Sequence, residues 1–271
     1  MSTYFEAKTP NGLLQISDQF PALFLKKVSK LSDYYRTTWY GSYQPNGESN
    51  QRHELYYYDI TPEVGTLLFI GNPTDIKVDL FTTTNELLEG IGYSNTHAQY
   101  RSHGSKHIIV VSNCTKNQAD NLNVYEFTDS MNFVGNVGLE CFDENGVKVF
   151  SSNAYPLKIL AVHYEQHCPN TSLHDIWWAG SNFKITPKTY SYPNKELAFF
   201  CPYHGHGGAH DSNYRKSILT RLSKSLIEVK QLDVENIDFN LYKWYHDVSI
   251  TFPISAQTSY TVIDVSNIPT N

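Results

Sequence analysis

Methionine occurs only 2 times and cysteine only 4 times in 271 residues, and charged residues make up 18% of the chain, against roughly 25% in an ordinary globular protein. So little charge, with no sustained heptad pattern, excludes a coiled coil, and 40% hydrophobic residues exclude a disordered tail. There is no glycine period of a collagen-like rod. The formal charge of −6 argues against a general binder of phosphate backbones, so no nucleic-acid partner is expected. No apolar run approaches the length of a membrane span; Ile108 to Val111 is typical of the longest. Residues 1–6 lack the basic start and apolar core of a signal peptide, so the expectation is a protein made in a cytoplasm that stays soluble. Cys114, Cys141, Cys168 and Cys201 are widely spaced with no C-x-x-C pair, which in a reducing compartment predicts free thiols.

Catalytic signatures are missing as well. There is no G-x-S-x-G elbow, no phosphate-binding loop ending in Gly-Lys-Ser/Thr and no G-x-G-x-x-G after a strand. No pair of carboxylates marks a glycosidase. The expectation is a non-enzyme without a cofactor.

What is present is polar and aromatic: 20 Tyr, 14 Phe and abundant Thr, Ser and Asn, a composition that suits sheets and polar loops. The chain also resembles itself. Residues 5–26 and 139–160 align without a gap at a shift of 134, with identities Glu6/Glu140, Asn11/Asn145, Gly12/Gly146, Ser17/Ser151 and Leu23/Leu157. The apolar positions agree too: Phe5 with Leu139, Leu13 with Val147, Ile16 with Phe150, Leu25 with Ile159. Each copy reads as a strand, an Asn-Gly turn that takes up positive φ, a returning strand and a third strand after Pro21 or Pro156. The segments 122–127 and 260–265 look like matching last strands at a shift of 138, which leaves 128–133 as a linker. Further strands are predicted at 53–58, 65–70, 76–80, 107–111, 183–185, 196–200 and 247–252. Ile218, Leu219, Leu222 and Leu226 sit at helical spacing and predict one short helix over 214–227; Asn85 to Glu89 reads as a single turn. The expected fold is all-β: two tandem β-sandwich, jelly-roll-like domains related by an internal repeat, at 1–128 and 135–271, with little helix.

Two histidine clusters are the candidates for metal chemistry. His204, His206 and His210 lie in a Gly-rich loop, and H-x-H on an extended chain puts both rings on one face, where they can share a metal. No positioned carboxylate base accompanies them, and a solvated Gly/His loop explains the same residues. His163, Glu165 and His167 would share a strand face, or read simply as polar surface. The aromatic pairs Trp39-Tyr40 and Trp177-Trp178, with Tyr43 and Tyr56 to Tyr58, suit core or interface packing better than sugar stacking, because neighbours on a strand point to opposite faces.

The stretch from Val137 to Ser152, VGLECFDENGVKVFSS, is similar to a pattern in small tail proteins of double-stranded DNA phages. Those begin with a strand of the type G-L-x-h-x-D/N-x-x-G and return through h-x-F-D-S, where h is apolar. Here Ser151 replaces the usual Asp, and the N-terminal copy has Ile16-Ser-Asp18 at that place. The resemblance covers about 25 residues, repeated once, and implies a non-enzymatic virion component of the tail tip, baseplate or fibre region. Its implied partners are other tail proteins, further copies in a homo-oligomer or symmetric assembly, and a host surface receptor. Its implied place is the virion tail, after synthesis in the host cytoplasm. The alternative is a glycan-binding or glycan-processing sandwich protein, metal-dependent if the histidines hold an ion.

Overall fold

The computed structural model describes residues 6–8, 14–17, 23–45, 51–63, 65–84, 107–129, 139–142, 145–146, 148–166, 186–203, 207–208, 214–235 and 257–270. In chain order the strands are β1 (Glu6–Lys8), β2 (Leu14–Ser17), β3 (Phe24–Lys30), β4 (Tyr35–Pro45), β5 (Gln51–Ile60), β6 (Thr66–Gly71), β7 (Val78–Thr84), β8 (His107–Ser112) and β9 (Asn123–Thr128). They continue as β10 (Glu140–Phe142), β11 (Lys148–Ser151), β12 (Ile159–Gln166), β13 (Lys188–Ser191), β14 (Leu197–Tyr203), β15 (Gly207–Gly208), β16 (Tyr214–Leu222), β17 (Leu226–Glu235) and β18 (Gln257–Asp264). The described helix is one turn of 3-10 helix at Leu31–Asp33 and the short α1 (Lys116–Asp120). The chain is thus largely β, as its composition predicts.

The two hairpins repeat one another residue for residue. In the first, Glu6 faces Ser17, Ala7 faces Ile16 and Lys8 faces Leu14. In the second, Glu140 faces Ser151, Cys141 faces Phe150 and Phe142 faces Lys148. Both ladders slip at the same place, between Ala7 and Lys8 and between Cys141 and Phe142. Gly146 has φ +77°, the conformation for which the Asn-Gly turn was read; the Asn11-Gly12 turn lies outside the described residues. The next strands also correspond. β3 on β9 slips between Leu25 and Lys27, and β12 on β18 slips between Ile159 and Ala161.

The remaining strands form two antiparallel sheets, of six strands in the order β12-β18-β14-β6-β9-β3 and of eight in the order β13-β17-β4-β5-β8-β7-β16-β15. β16 and β17 also pair as a hairpin. Because β17 meets β4 at Leu232–Pro45 and Asp233–Gln44, the path β4-β5-β8-β7-β16-β17 returns to its start. The partner of Asp233 in β16 is Lys216, whereas its partner in β4 lies near the far end of that strand, so the sheet coils with a long stagger. Both sheets draw strands from both halves of the chain: β6 pairs with β14, and β7 with β16. The boundary expected at 128–135 therefore does not separate one sheet from the other.

Alternation decides the layers. Tyr56, Tyr58 and Ile60 of β5, Val78 and Leu80 of β7, Ile109 and Val111 of β8, Ile227 and Val229 of β17 are all buried, every second residue of their strands. They pack with Leu68, Ile70, Val124, Leu197, Phe199, Tyr260 and Val262 of the six-stranded sheet. The other face of that sheet buries Phe69, Tyr125, Phe127, Ala198 and Ile263 in a second core, completed by Val265, Ile268, Leu23 and Leu157. The middle of the six-stranded sheet is covered on both faces, and all six residues of β9 are buried.

The helix expected at 214–227 is absent: those residues are β16, the turn and the start of β17. Thr220 and Leu222 are buried on one face while Arg221 between them turns to the opposite face and pairs with Asp79, a period of two that the helical spacing of the leucines conceals. The strand read at 76–80 begins at Val78, because the chain at 72–77 is held as a loop by Asn72. Strands read at 183–185 and 247–252, the turn at 85–89 and most of the linker at 128–133 lie outside the described residues. The missed α1 had a readable signal, since Thr115 and Gln118 form a capping box.

The halves meet through few main-chain pairs, and side chains reinforce them. Arg221 donates from Nε to Asp79 Oδ1 at 2.7 Å and from Nη2 to Oδ2 at 3.0 Å, with the Asp79 side chain 1% exposed. Asn72 Nδ2 donates to the carbonyls of Ile76 at 2.7 Å and Leu222 at 3.0 Å. Its Oδ1 accepts from Thr74 N and Thr74 Oγ1, each at 2.9 Å. Arg221→Met is expected to destabilise the protein by about 3–5 kcal/mol, because it strips a buried carboxylate of its forked partner. Adding Asp79→Leu should recover part of that loss, which chemical denaturation of the single and double variants will measure.

The end of β18 is tied down by Asp264. Its Oδ1 accepts from Ser266 Oγ at 2.6 Å and Ser266 N at 3.1 Å, and Oδ2 pairs with Lys195 Nζ. Ser266 Oγ in turn accepts from Glu196 N at 2.8 Å, which sets Val265 and Ile268 into the second core. Burial by itself pushes the Asp264 carboxyl up, but the hydrogen bonds from Lys195 and Ser266 and the Lys195 charge outweigh it and hold the group below its ordinary value. A depressed carboxylate adds stability that is present above its unfolded pKa and lost as the pH falls through its folded one. Asp264→Asn should therefore lower the melting temperature at neutral pH, and the gap to the unmodified protein should narrow on acidification.

Candidate interaction surface

The predicted metal ligands His204, His206 and His210 lie outside the described residues; of their loop, Gly207 and Gly208 are described, paired with Lys216 and Arg215 of β16. His163 sits on β12 and stacks on Tyr260, ring centroids 4.8 Å apart. Tyr260 also meets Phe199 at 5.4 Å and Tyr190 at 5.9 Å, and its hydroxyl lies 3.1 Å from that of Tyr190. His163 thus borders an aromatic cluster of the core, while His167 lies outside the described residues. Among the described residues no three His, Cys, Asp or Glu side chains are grouped to hold a metal. Nor is any described helix long and apolar enough to cross a membrane.

Tyr56 and Tyr58 are core residues, and Tyr58 donates to Asp120 Oδ1 at 2.7 Å. Trp39, Tyr40 and Tyr43 belong to β4, and Trp177 and Trp178 lie outside the described residues. Cys114 and Cys141 are free thiols; Cys168 lies outside the described residues and Cys201 belongs to β14. Burial first, then the neighbouring charges of Asp79 and Asp120, push the Cys114 thiol up to about 12.

One cleft of about 400 Å³ lies beside β3, bordered by Lys26, Lys27, Lys30, Asp33, Asn123 and Tyr155. Its lysines are engaged. Lys26 pairs with Glu63, Lys27 Nζ sits 5.8 Å from the Tyr34 ring centroid, and Lys30 Nζ donates to Asn123 Oδ1 at 2.6 Å and the Asn121 carbonyl at 3.3 Å. Tyr34 is itself pushed up to about 12, by burial and by Glu126, whose Oε1 accepts its hydroxyl proton at 3.1 Å. These contacts build a wall of the fold and leave its lysines committed.

The surface that stands out is apolar. Large exposed hydrophobic side chains among the described residues are Leu67, Ile76, Leu139, Phe142, Tyr155, Ile159, Val162 and Tyr164, and six of these eight fall between 139 and 164. Three of them lie on β12: Ile159 is 54% exposed, Val162 68% and Tyr164 59%. Val162 and Tyr164 point to one face, opposite Thr261 and Ser259 of β18. β12 ends the six-stranded sheet, and β18 is its described partner. Nothing in the sequence pattern flagged this surface, because ILAVHYEQ reads equally well as a buried strand.

No family is identified. No family model, no curated protein and no solved structure matches the chain. The physical reading of the surface therefore stands by itself. The burial that raises the Cys114 thiol gives a separate test: at pH 8 the folded protein should resist iodoacetamide at this thiol and react there only once denatured, as peptide mass mapping will show.

Proposed function

We propose that this chain is a non-enzymatic structural protein of a double-stranded DNA phage tail, in the tip, baseplate or fibre region, acting by assembly with other tail proteins. The observation that carries the proposal is the concentration of exposed apolar side chains in 139–164. This segment contains the hairpin whose sequence resembles tail proteins. An apolar, weakly charged surface of this kind suits protein contact rather than solvent.

The same reading takes the chain as two tandem jelly-roll-like units, 1–128 and 135–271, joined edge to edge. Support comes from the matching hairpin registers and matching ladder slips, and from strand orders that mirror about the junction. In the six-stranded sheet, β3-β9-β6 is answered by β12-β18-β14; in the other, β5-β8-β7 is answered by β13-β17-β16. A duplicated unit that fuses its copies through sheet edges leaves outer edges and loops for neighbours in a symmetric particle, and loops for a host receptor.

A phage deleted for this gene and complemented in trans tests the role. Particles made without the protein should lack normal tails or fail to infect. Particles of normal composition and infectivity would refute a tail role, and intact particles that fail only to adsorb would move it to receptor binding.

A further inference from the structure

The six-stranded sheet has two outer strands that correspond in the repeat, and their edges are built differently. β3, FLKKVSK, carries Lys26, Lys27 and Lys30. Its first residues are also covered: Leu25 N donates to the Tyr155 carbonyl at 2.8 Å, Leu157 N donates to the Leu23 carbonyl at 2.8 Å, and Phe24 bridges to Pro156. Lysines and a covering segment are the usual protection of an edge against further pairing. β12, ILAVHYEQ, has eight residues with no Lys, Arg or Pro, and exposes Ile159, Val162 and Tyr164. An apolar edge that no described segment covers is a template for another strand.

We propose that β12 pairs antiparallel with β12 of a second copy of this chain, joining two six-stranded sheets into one continuous sheet about a two-fold axis at His163. In an antiparallel pair, residues directly opposite each other point to the same face. A two-fold centred on His163 sets Val162 of each copy opposite Tyr164 of the other, on the exposed face. Cross-strand pairs of an aromatic with a β-branched residue are favourable. Ala161 then faces Glu165 and His163 faces its own copy, so no two carboxylates or lysines oppose each other. Moving the centre by one residue in either direction breaks the match. Centred on Val162, Tyr164 meets Leu160, which sits at the ladder slip; centred on Tyr164, Val162 meets Gln166. The edge complements itself in one register, which is why the occupant is a second copy: one surface supplies both halves of both pairs, as an isologous dimer requires. The inference deepens the assembly reading by naming a partner for the apolar surface, and it does not depend on any other tail protein.

The test uses the full chain. Sedimentation equilibrium should find a dimer, and Val162→Lys should weaken it by about tenfold or more while circular dichroism stays unchanged, because Val162 is already exposed. Register is tested by cysteine pairs. Mixed Val162→Cys and Tyr164→Cys proteins should form the 162–164 disulfide between copies under mild oxidation, identified by peptide mapping, and neither should cross-link efficiently to itself through the new thiol. A monomer at high concentration overturns the inference, as does a dimer indifferent to Val162→Lys or lacking the 162–164 link. In those cases the tail role is still decided by the deletion phage. Normal infectivity of that phage, with the register-specific dimer intact, would remove the tail role and leave the pairing.

Discussion

The fold depends on a seam. Two halves of one chain share both sheets, yet the ladders that join them are short: Ala198–Gly71 and Phe199–Ile70 in one sheet, and in the other Val78 to Leu80 against Leu222 to Thr220 and Leu232–Asp233 against Pro45–Gln44. So few main-chain pairs cannot hold two units in fixed register against solvent competition. Side chains at the seam make up the difference. Asp79 and Arg221 form a forked ion pair across the second ladder, where the carboxylate is almost fully buried and the geometry meets both its oxygens. Asn72 ties the 72–77 loop of one half to the end of β16 in the other. Beside it, Thr74 O accepts from Lys224 N, whose carbonyl accepts from Leu197 N. Gly71 permits the first ladder: a Cβ there would come within 2.8 Å of the Tyr125 ring and 3.2 Å of the Leu197 carbonyl.

The seam also explains how charge is spent in a chain that has little of it. Asp79–Arg221 and Lys195–Asp264 sit where an element of one segment must be held against another. Lysines line β3, where an edge must stay single. Where neither need applies, on β12 and the second hairpin, apolar side chains reach the surface. Apolar exposure among the described residues is therefore local, confined mostly to one stretch of chain.

Much of the local structure was legible in the sequence. The Asn145-Gly146 turn, the strands after both Asn-Gly pairs and the runs at 53–58, 65–70 and 107–111 follow from turn chemistry and β-branched or aromatic content, and the structure has them. The segment 214–227 shows leucines at helical spacing but folds as strand, because its buried face is set by Thr220 and Leu222, and a polar residue at 220 hides that period of two. Of the candidate site residues, His163 was noticed for its spacing to His167, but its ring is used for stacking on Tyr260. His204, His206 and His210 lie outside the described residues.

The sequence alone determined a β-rich chain with duplicated opening hairpins, since turn residues and alternation act over a few neighbours and need no tertiary information. Only the tertiary structure decided which strand lies beside which. Pairing β6 with β14 and β7 with β16 depends on contacts more than a hundred residues apart, such as Asp79 with Arg221, that no local pattern encodes. It likewise decided that β12 is the outermost described strand of its sheet with Val162 and Tyr164 in solvent, because no local pattern says whether another layer covers a strand's face.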